Sequence, residues 1–317
     1  MPPNPHGYVT AADEKLPASL HPRSLVRVAP GIGAGTVPLR HPRIFFKGAT
    51  SCLDMFGKLK VLAFTGTLAA SSFGASGAQA APWIIGLVDG KSIVTIDPAT
   101  RKVTSKVDVK GAGPLLGIDV RPADGMLYGV AGDGTIVTID PKSGQATMKS
   151  KMSETLKPGL SGTVDFNPVA DRLRVMGSDG TSLRVSVDDG KATVDGAHKY
   201  KDGDANAGKA PKVVAGAYTN SWKGAKATTL YNIDAATGML VTQAPPNDGV
   251  LNTVGSLGMT VSGPVAFNIV STGEDKNDGW LVAGGALYSV DLKTGKAAMV
   301  GKIEGLGGNL GDIAWID

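Results

Sequence analysis

One phrase of a dozen residues recurs along the chain: SIVTIDPATRKV from Ser92, TIVTIDPKSGQA from Thr135, TLYNIDAATGML from Thr229 and ALYSVDLKTGKA from Ala286. Each copy sits inside a longer unit. LLGIDVRPADGMLYGVAGDGTIVTIDPKSGQATMKS reads as four strands, predicted at Leu115–Val120, Met126–Val130, Thr135–Ile139 and Gln145–Lys149. The turns between them have the Asp/Gly chemistry of tight hairpins. The first strand returns as TVDFNP near Thr163, VVAGAYTN at Val213, PVAFNI at Pro264 and LGDIAWID at Leu310, at intervals of about 46–51 residues, the size of a propeller blade.

The two ends complete each other. The first copy, from Trp83, lacks a first strand, and the last stops after one. Pairing the strand from Leu310 with the sheet that starts at Trp83 closes a ring and removes two open edges. The sequence therefore predicts an all-β, five-bladed β-propeller over residues 81–317. A two-layer β-sandwich is the alternative, but it leaves the complementary ends unexplained.

Within this frame the repeated phrase is scaffold: a third strand, a hairpin turn and the start of a fourth strand. Asp97, Asp140, Asp234 and Asp291 close their strands, where a carboxylate accepts backbone N–H groups across the turn. A row of calcium-binding aspartates is the functional alternative, and it fails because these acids stand a blade apart. Gly144, Gly238 and Gly295 supply a left-handed residue. Arg101 takes that place in the first copy, which predicts a turn of another form there. LRVSVDDGKA in the third unit predicts a shortened turn.

The N-terminal residues read differently. From Met55 the chain has a positive start (Lys58, Lys60), a short apolar run from Val61 and an A-x-A site at Ala78-Gln79-Ala80. Residues 55–80 are thus expected to be a secretory signal, too short and too rich in Gly and Ser to anchor in a membrane. Residues 1–54 read as a non-native or disordered leader from a mis-assigned start, with a transit peptide as the alternative. The expected location is periplasmic or extracellular, with no integral membrane segment after signal cleavage.

Removing residues 1–80 changes the charge. Of 32 basic and 28 acidic residues, 24 and 25 remain, a net charge of −1. The basic pI belongs to the leader, so basicity gives no argument for a nucleic-acid partner. The single cysteine, Cys52, is lost as well, and His198 is the one histidine left. Disulfides and thiol chemistry are excluded, and a Ser–His hydrolase has poor support.

Three groups of residues can carry chemistry. Aligned first strands put Asp119, Asp165, Asn268 and Asp312 around the channel, with Ala217 or Tyr218 in the remaining blade. Such a ring can hold a cation or the hydroxyls of a sugar, and Asp119, Asp165 and Asp312 are the candidates for glycoside-type hydrolysis. The bland reading has each Asp bonded to neighbouring backbone N–H groups. Arg172 and Arg174 share a strand face. A two- or four-residue turn puts Arg184 opposite Val175. A loop one residue different puts it opposite Arg174 and calls for a bridging anion or carboxylate. Asp165 and Asp171 are the candidate partners, and an anionic ligand is the functional alternative. Asp202, Asp204 and Asn206 have the D-x-D-x-N spacing of a calcium loop, without the closing Glu or flanking helices, so Ca²⁺ competes with an ordinary Asx-rich turn. Nearby His198 and Tyr200 are expected at an exposed edge.

Across DFNPVADRLRV (165–175), DGDANAG (202–208), VVAGAYTN (213–220) and LYNIDAATGMLVTQAPPNDGVLNTVGSLG (230–258), the chain resembles the secreted bacterial family called domain of unknown function 4394. The resemblance implies a secreted or periplasmic propeller-like domain and supplies no reaction. Some relatives carry a superoxide dismutase label. Copper–zinc, manganese and iron dismutases need several His ligands, and after residue 80 the chain has His198 alone.

The expectation is an exported monomeric binding module. Loops around Asp119, Asp165, Tyr218 and Asn268 hold a small or polymeric ligand or a cation at a channel mouth, and no cofactor is evident. Trp222, Trp280 and Tyr231 are candidates for stacking. A hydrolase using the channel carboxylates and a protein-interaction propeller are the competing classes.

Overall fold

The computed structural model describes residues 82–316, so the leader and signal expectations for residues 1–80 lie outside the described residues. Each repeat folds as an antiparallel meander, because its Asp/Gly turns are too short for any other connection. Blade one contains β1 (Trp83–Val88), β2 (Ser92–Asp97) and β3 (Lys102–Asp108). Blade two runs β4 (Leu115–Val120), β5 (Leu127–Ala131), β6 (Thr135–Ile139) and β7 (Ala146–Lys151). Blade three runs β8 (Gly162–Asn167), β9 (Arg172–Gly177), β10 (Ser182–Val185) and β11 (Ala192–Val194). A two-residue strand, β12 (Lys199–Tyr200), pairs in parallel with the outer edge of blade four. That blade contains β13 (Val213–Tyr218), β14 (Leu230–Asp234), β15 (Met239–Gln243) and β16 (Val250–Ser256). Blade five runs β17 (Val265–Gly273), β18 (Lys276–Ala283), β19 (Ala286–Val290) and β20 (Ala297–Lys302). The last strand, β21 (Leu310–Ile316), pairs antiparallel with β1, from Trp83 opposite Ile316 to Val88 opposite Leu310.

The result is five small sheets in a ring, the five-bladed propeller, and not a sandwich. The inner strands neighbour one another in the order β21, β4, β8, β13, β17 and back to β21. Outer strands β3, β7 and β20 are largely exposed and carry Lys102, Lys106, Lys149, Lys151 and Lys302. Lysines on an unpaired edge oppose strand-to-strand association with other chains.

The turn expectations for blades one and three are corrected by the backbone. In blade one Arg101 N donates to Asp97 O at 2.7 Å, just as Gly144 N donates to Asp140 O at 2.8 Å. Arg101 holds the left-handed conformation itself, at φ 59°. Blade three keeps the same five-residue turn, with Gly190 N on Ser186 O at 2.8 Å, and is not shortened. The glycines answer a second need. A Cβ on Gly144 would lie 2.1 Å from the Asp108 carbonyl, and one on Gly190 would lie 1.9 Å from that of Lys151. The hairpin tips of blades two and three thus press on the outer strand of the preceding blade. Blade one reverses the arrangement: a Cβ on Gly301 of blade five would meet the Arg101 side chain at 2.6 Å, so the small residue lies across the seam.

The core lies between the blades. Four seams contain eleven or twelve buried apolar residues each, whereas the seam of blades three and four contains seven and is otherwise polar. No helix among the described residues is long and apolar enough to cross a membrane.

Candidate functional site

The channel aspartates are latches between blades. Asp312 Oδ2 of blade one accepts Ile118 N of blade two at 3.0 Å, and Asp119 Oδ2 of blade two accepts Phe166 N of blade three at 2.7 Å. Asp165 Oδ1 of blade three accepts Tyr218 N of blade four at 2.9 Å. Gly117 makes room for the first latch, since a Cβ there would lie 2.4 Å from Asp312 Oδ2. Blade four has Ala217 at this level and no latch. Its seam with blade five is tied at the rim, where Asn277 Oδ1 accepts Asn220 N at 2.8 Å and Ser271 Oγ accepts Ser221 N at 3.0 Å. Asn268 of blade five donates to Ile313 O of blade one at 2.9 Å.

Three carboxylates out of water around one axis disfavour their own ionisation. Burial raises Asp119 to about 7. Asp165 and Asp312 are raised well above the usual carboxylate range, first by burial and then by the charges of their neighbours. Among the described residues no three His, Cys, Asp or Glu side chains form a group able to hold a metal ion.

A cleft of about 360 Å³ opens where the inner strands end. Buried Asp119 and Asn268 reach it, together with Ser221, Trp222 and Lys223 from the loop after β13 and Trp315 from β21. Asp165, Asp312 and Tyr218 do not line it. Trp280 packs on Trp315 with ring centroids 5.7 Å apart and lies behind the wall, while Tyr231 packs in the core between blades four and five.

Arg121, which has no role in the sequence analysis, stands at the same mouth. Its Nε and Nη2 clamp Asp171 at 2.8 and 2.6 Å, and Nη1 and Nη2 reach Asp188 at 3.4 and 3.3 Å. The signal was the arginine that follows the first strand in VRPADG. Asp171 is thus bonded to Arg121 and not to Arg174.

Arg174 lies in the seam of blades three and four. Met176 pairs with Ser182 across five intervening residues, which sets Arg184 opposite Arg174 and not opposite Val175. The carboxylate this register demands is Asp195, in place of Asp165 or Asp171. It accepts Arg174 Nη1 at 2.7 Å and Arg184 Nε at 2.7 Å. Arg174 also donates to Tyr218 Oη at 3.0 Å, Ser182 Oγ at 2.9 Å and Asn247 Oδ1 at 3.0 Å. Arg172 is exposed and bonds the Asp171 carbonyl. Sequence reasoning gave no role to Asp195 or Asn247, because they enter from loops far along the chain.

His198 is not at an exposed edge. It is buried beside Arg174, neither ring nitrogen has a hydrogen-bond partner among the described residues, and burial followed by the Arg174 charge lowers it to about 4. Tyr200 is buried as well and hydrogen-bonds Asp234. In the D-x-D-x-N turn, Asp204 accepts Thr253 N at 2.7 Å and Asn206 N at 2.8 Å. Asn206 Oδ1 accepts Lys209 Nζ at 2.8 Å.

No curated protein matches the chain in sequence. Among solved structures it is similar to a protein of unknown function from Bacteroides caccae (14% identity, TM-score 0.38, covering 69% of this chain and 73% of that one). It is also similar to a protein of unknown function from Bacteroides thetaiotaomicron (15%, 0.44, 68% and 54%). A third is described as an auxiliary nutrient binding protein from Bacteroides ovatus (14%, 0.41, 67% and 57%). The chain therefore spans little more than half the length of the second and third. A family model, Domain of unknown function (DUF4394), matches residues 85–314, nearly the whole ring. The chain belongs to the DUF4394 family.

Proposed function

We propose that the protein is an exported, monomeric binding module that takes a small polar ligand, free or at the end of a polymer, in the cleft at one mouth of its channel. The observation that supports this reading is the convergence of Asp119, Asn268, Ser221, Trp222 and Lys223, from three blades, on one cleft of about 360 Å³. A small number of polar groups set among aromatic and aliphatic walls is the usual make-up of a ligand site. The loop that contributes Ser221–Lys223 is held at its base by the Asn220–Asn277 pair, so the cleft is formed before a ligand arrives.

The hydrolase reading has less support. Each channel carboxylate holds a backbone N–H of the next blade, and only Asp119 of the three reaches the cleft. If a screened hydrolytic activity survives Asp165→Asn and Asp312→Asn, those carboxylates do not catalyse it.

The binding reading is tested by amide chemical-shift mapping of the full domain against a library of small polar compounds. Shifts clustered on Val120, Trp222, Lys223 and Ile269, and lost in Trp222→Ala, are expected. Compounds that bind only elsewhere, or not at all, would sink it.

A further inference from the structure

The charges around the cleft narrow the ligand, on the premise that the cleft binds one. Ions are recognised by charged groups left free to meet them, and here the strongest charge is already engaged. All three guanidinium nitrogens of Arg121 bond Asp171, Asp188 and Asp124. The Asp119 carboxylate gives one oxygen to Phe166 N at 2.7 Å, and its other oxygen meets Asn268 Nδ2 at a loose 3.4 Å. What remains is one acceptor at Asp119 Oδ1, a hydroxyl at Ser221, an ammonium at Lys223 on the lip, and two indoles, Trp222 and Trp315.

The second indole is unusual. Trp315 is backed by Trp280 at 5.7 Å, and its Nε1 is buried without an acceptor although the residue forms part of the cleft wall. The cleft thus combines single donors, a single acceptor and flat apolar surface, in a volume of about 360 Å³. That combination suits a ring with an apolar C–H face and a rim of hydroxyls.

We propose that the ligand is a neutral pyranose sugar, its hydroxyls shared among Asp119 Oδ1, Ser221 Oγ and Lys223 Nζ and its C–H face laid on Trp222. The same ring can arrive as a free saccharide or as the end of a polysaccharide.

The test is calorimetry and saturation-transfer NMR on the intact domain with four probe sets. They are neutral mono- and disaccharides, longer neutral oligosaccharides, uronic acids, and quaternary ammonium compounds with Ca²⁺. Neutral saccharides should bind with an affinity that changes less than about twofold between low and high salt, since no counterion is released. Trp222→Ala should weaken them at least tenfold and Asp119→Asn severalfold, while Lys223→Ala has the smallest effect. Wild-type-like melting of Trp222→Ala and Lys223→Ala, both on an outer loop, separates lost binding from lost folding. A gain in affinity with chain length identifies a polysaccharide end, and its absence a free sugar. Binding confined to charged probes and weakened by salt overturns the sugar while leaving the cleft as a site. No probe of any set shifting the cleft resonances overturns both.

Discussion

The seam between blades two and three and the seam between blades three and four share one sheet and part ways in how they hold it. The first is apolar, with twelve buried residues that include Tyr128 and Phe166 edge to face at 5.3 Å; its one large charge, Arg121, sits at the rim with acids around it. The second has seven buried apolar residues and puts a guanidinium inside. Of five buried polar atoms without a partner among the described residues, four belong to this region: Thr163 Oγ1, both nitrogens of His198 and Asn232 Oδ1. Apolar packing tolerates small displacements because it has no preferred direction. A buried ion pair fixes a geometry, and it becomes costly once one member is missing.

The sharpest way to break the comparison is Asp195→Ala. It leaves two opposed arginines without their bridge, one of them buried, and should cost about 3–5 kcal/mol in urea unfolding at neutral pH. A loss below about 1 kcal/mol would mean that the polar seam adds little hold. Leu173→Ala in the apolar seam should cost about 2–5 kcal/mol, and by the same amount at every pH, because no titrating group is involved. If its cost varied with pH, the contrast between the seams would be lost.

Acidity should sharpen the contrast next. His198 is held near 4 in the fold, against 6.5 for a free histidine. The unfolded chain then binds more protons in that window, so stability falls as pH drops from about 6.5 to about 4. The effect reaches at most about 3 kcal/mol and should vanish in His198→Gln. Arg174 and the nearby Asp179 and Asp234 act on His198 with opposite signs, and desolvation outweighs them. The channel ring responds the other way. Asp119 sits near 7 in the fold, against 3.8 free, so the folded state binds more protons and stability falls as pH rises through that interval. Asp119→Asn should remove about 1–2 kcal/mol of that slope, less than the full shift because Asp165 and Asp312 continue to titrate with it. A slope of the same sign in both variants would refute the assignment of one group to each region. The smallest change is Arg101→Gly, which relieves a left-handed non-glycine residue and should stabilise by under about 1 kcal/mol in thermal unfolding.

The strands and their closure were legible because they are local. Leu115–Val120 and Thr135–Ile139 match the structure residue for residue, and Asp140 Oδ1 accepts Lys142 N at 2.8 Å across its turn as its position in the phrase implied. The site was legible in part. Asp119 and Asn268 share the cleft because aligned strands share a height on the axis. Tyr218 is absent from it because its side chain turns into the polar seam.

Sequence alone therefore determined the blade count, the strand that closes the ring and the residues that repeat, since hydrogen-bonded hairpins and period-two patterning are written in consecutive residues. Tertiary structure alone decided which charges meet. Arg174 finds Asp195, 21 residues on, and Asn247, 73 residues on, through loops whose paths no local pattern encodes. Arg184 faces Arg174 because five residues separate the paired Met176 and Ser182, and that odd number chose between two faces of a strand. Buried charges are settled by whichever partners the closed ring brings within about 3 Å of them, and that proximity exists only after the blades have packed.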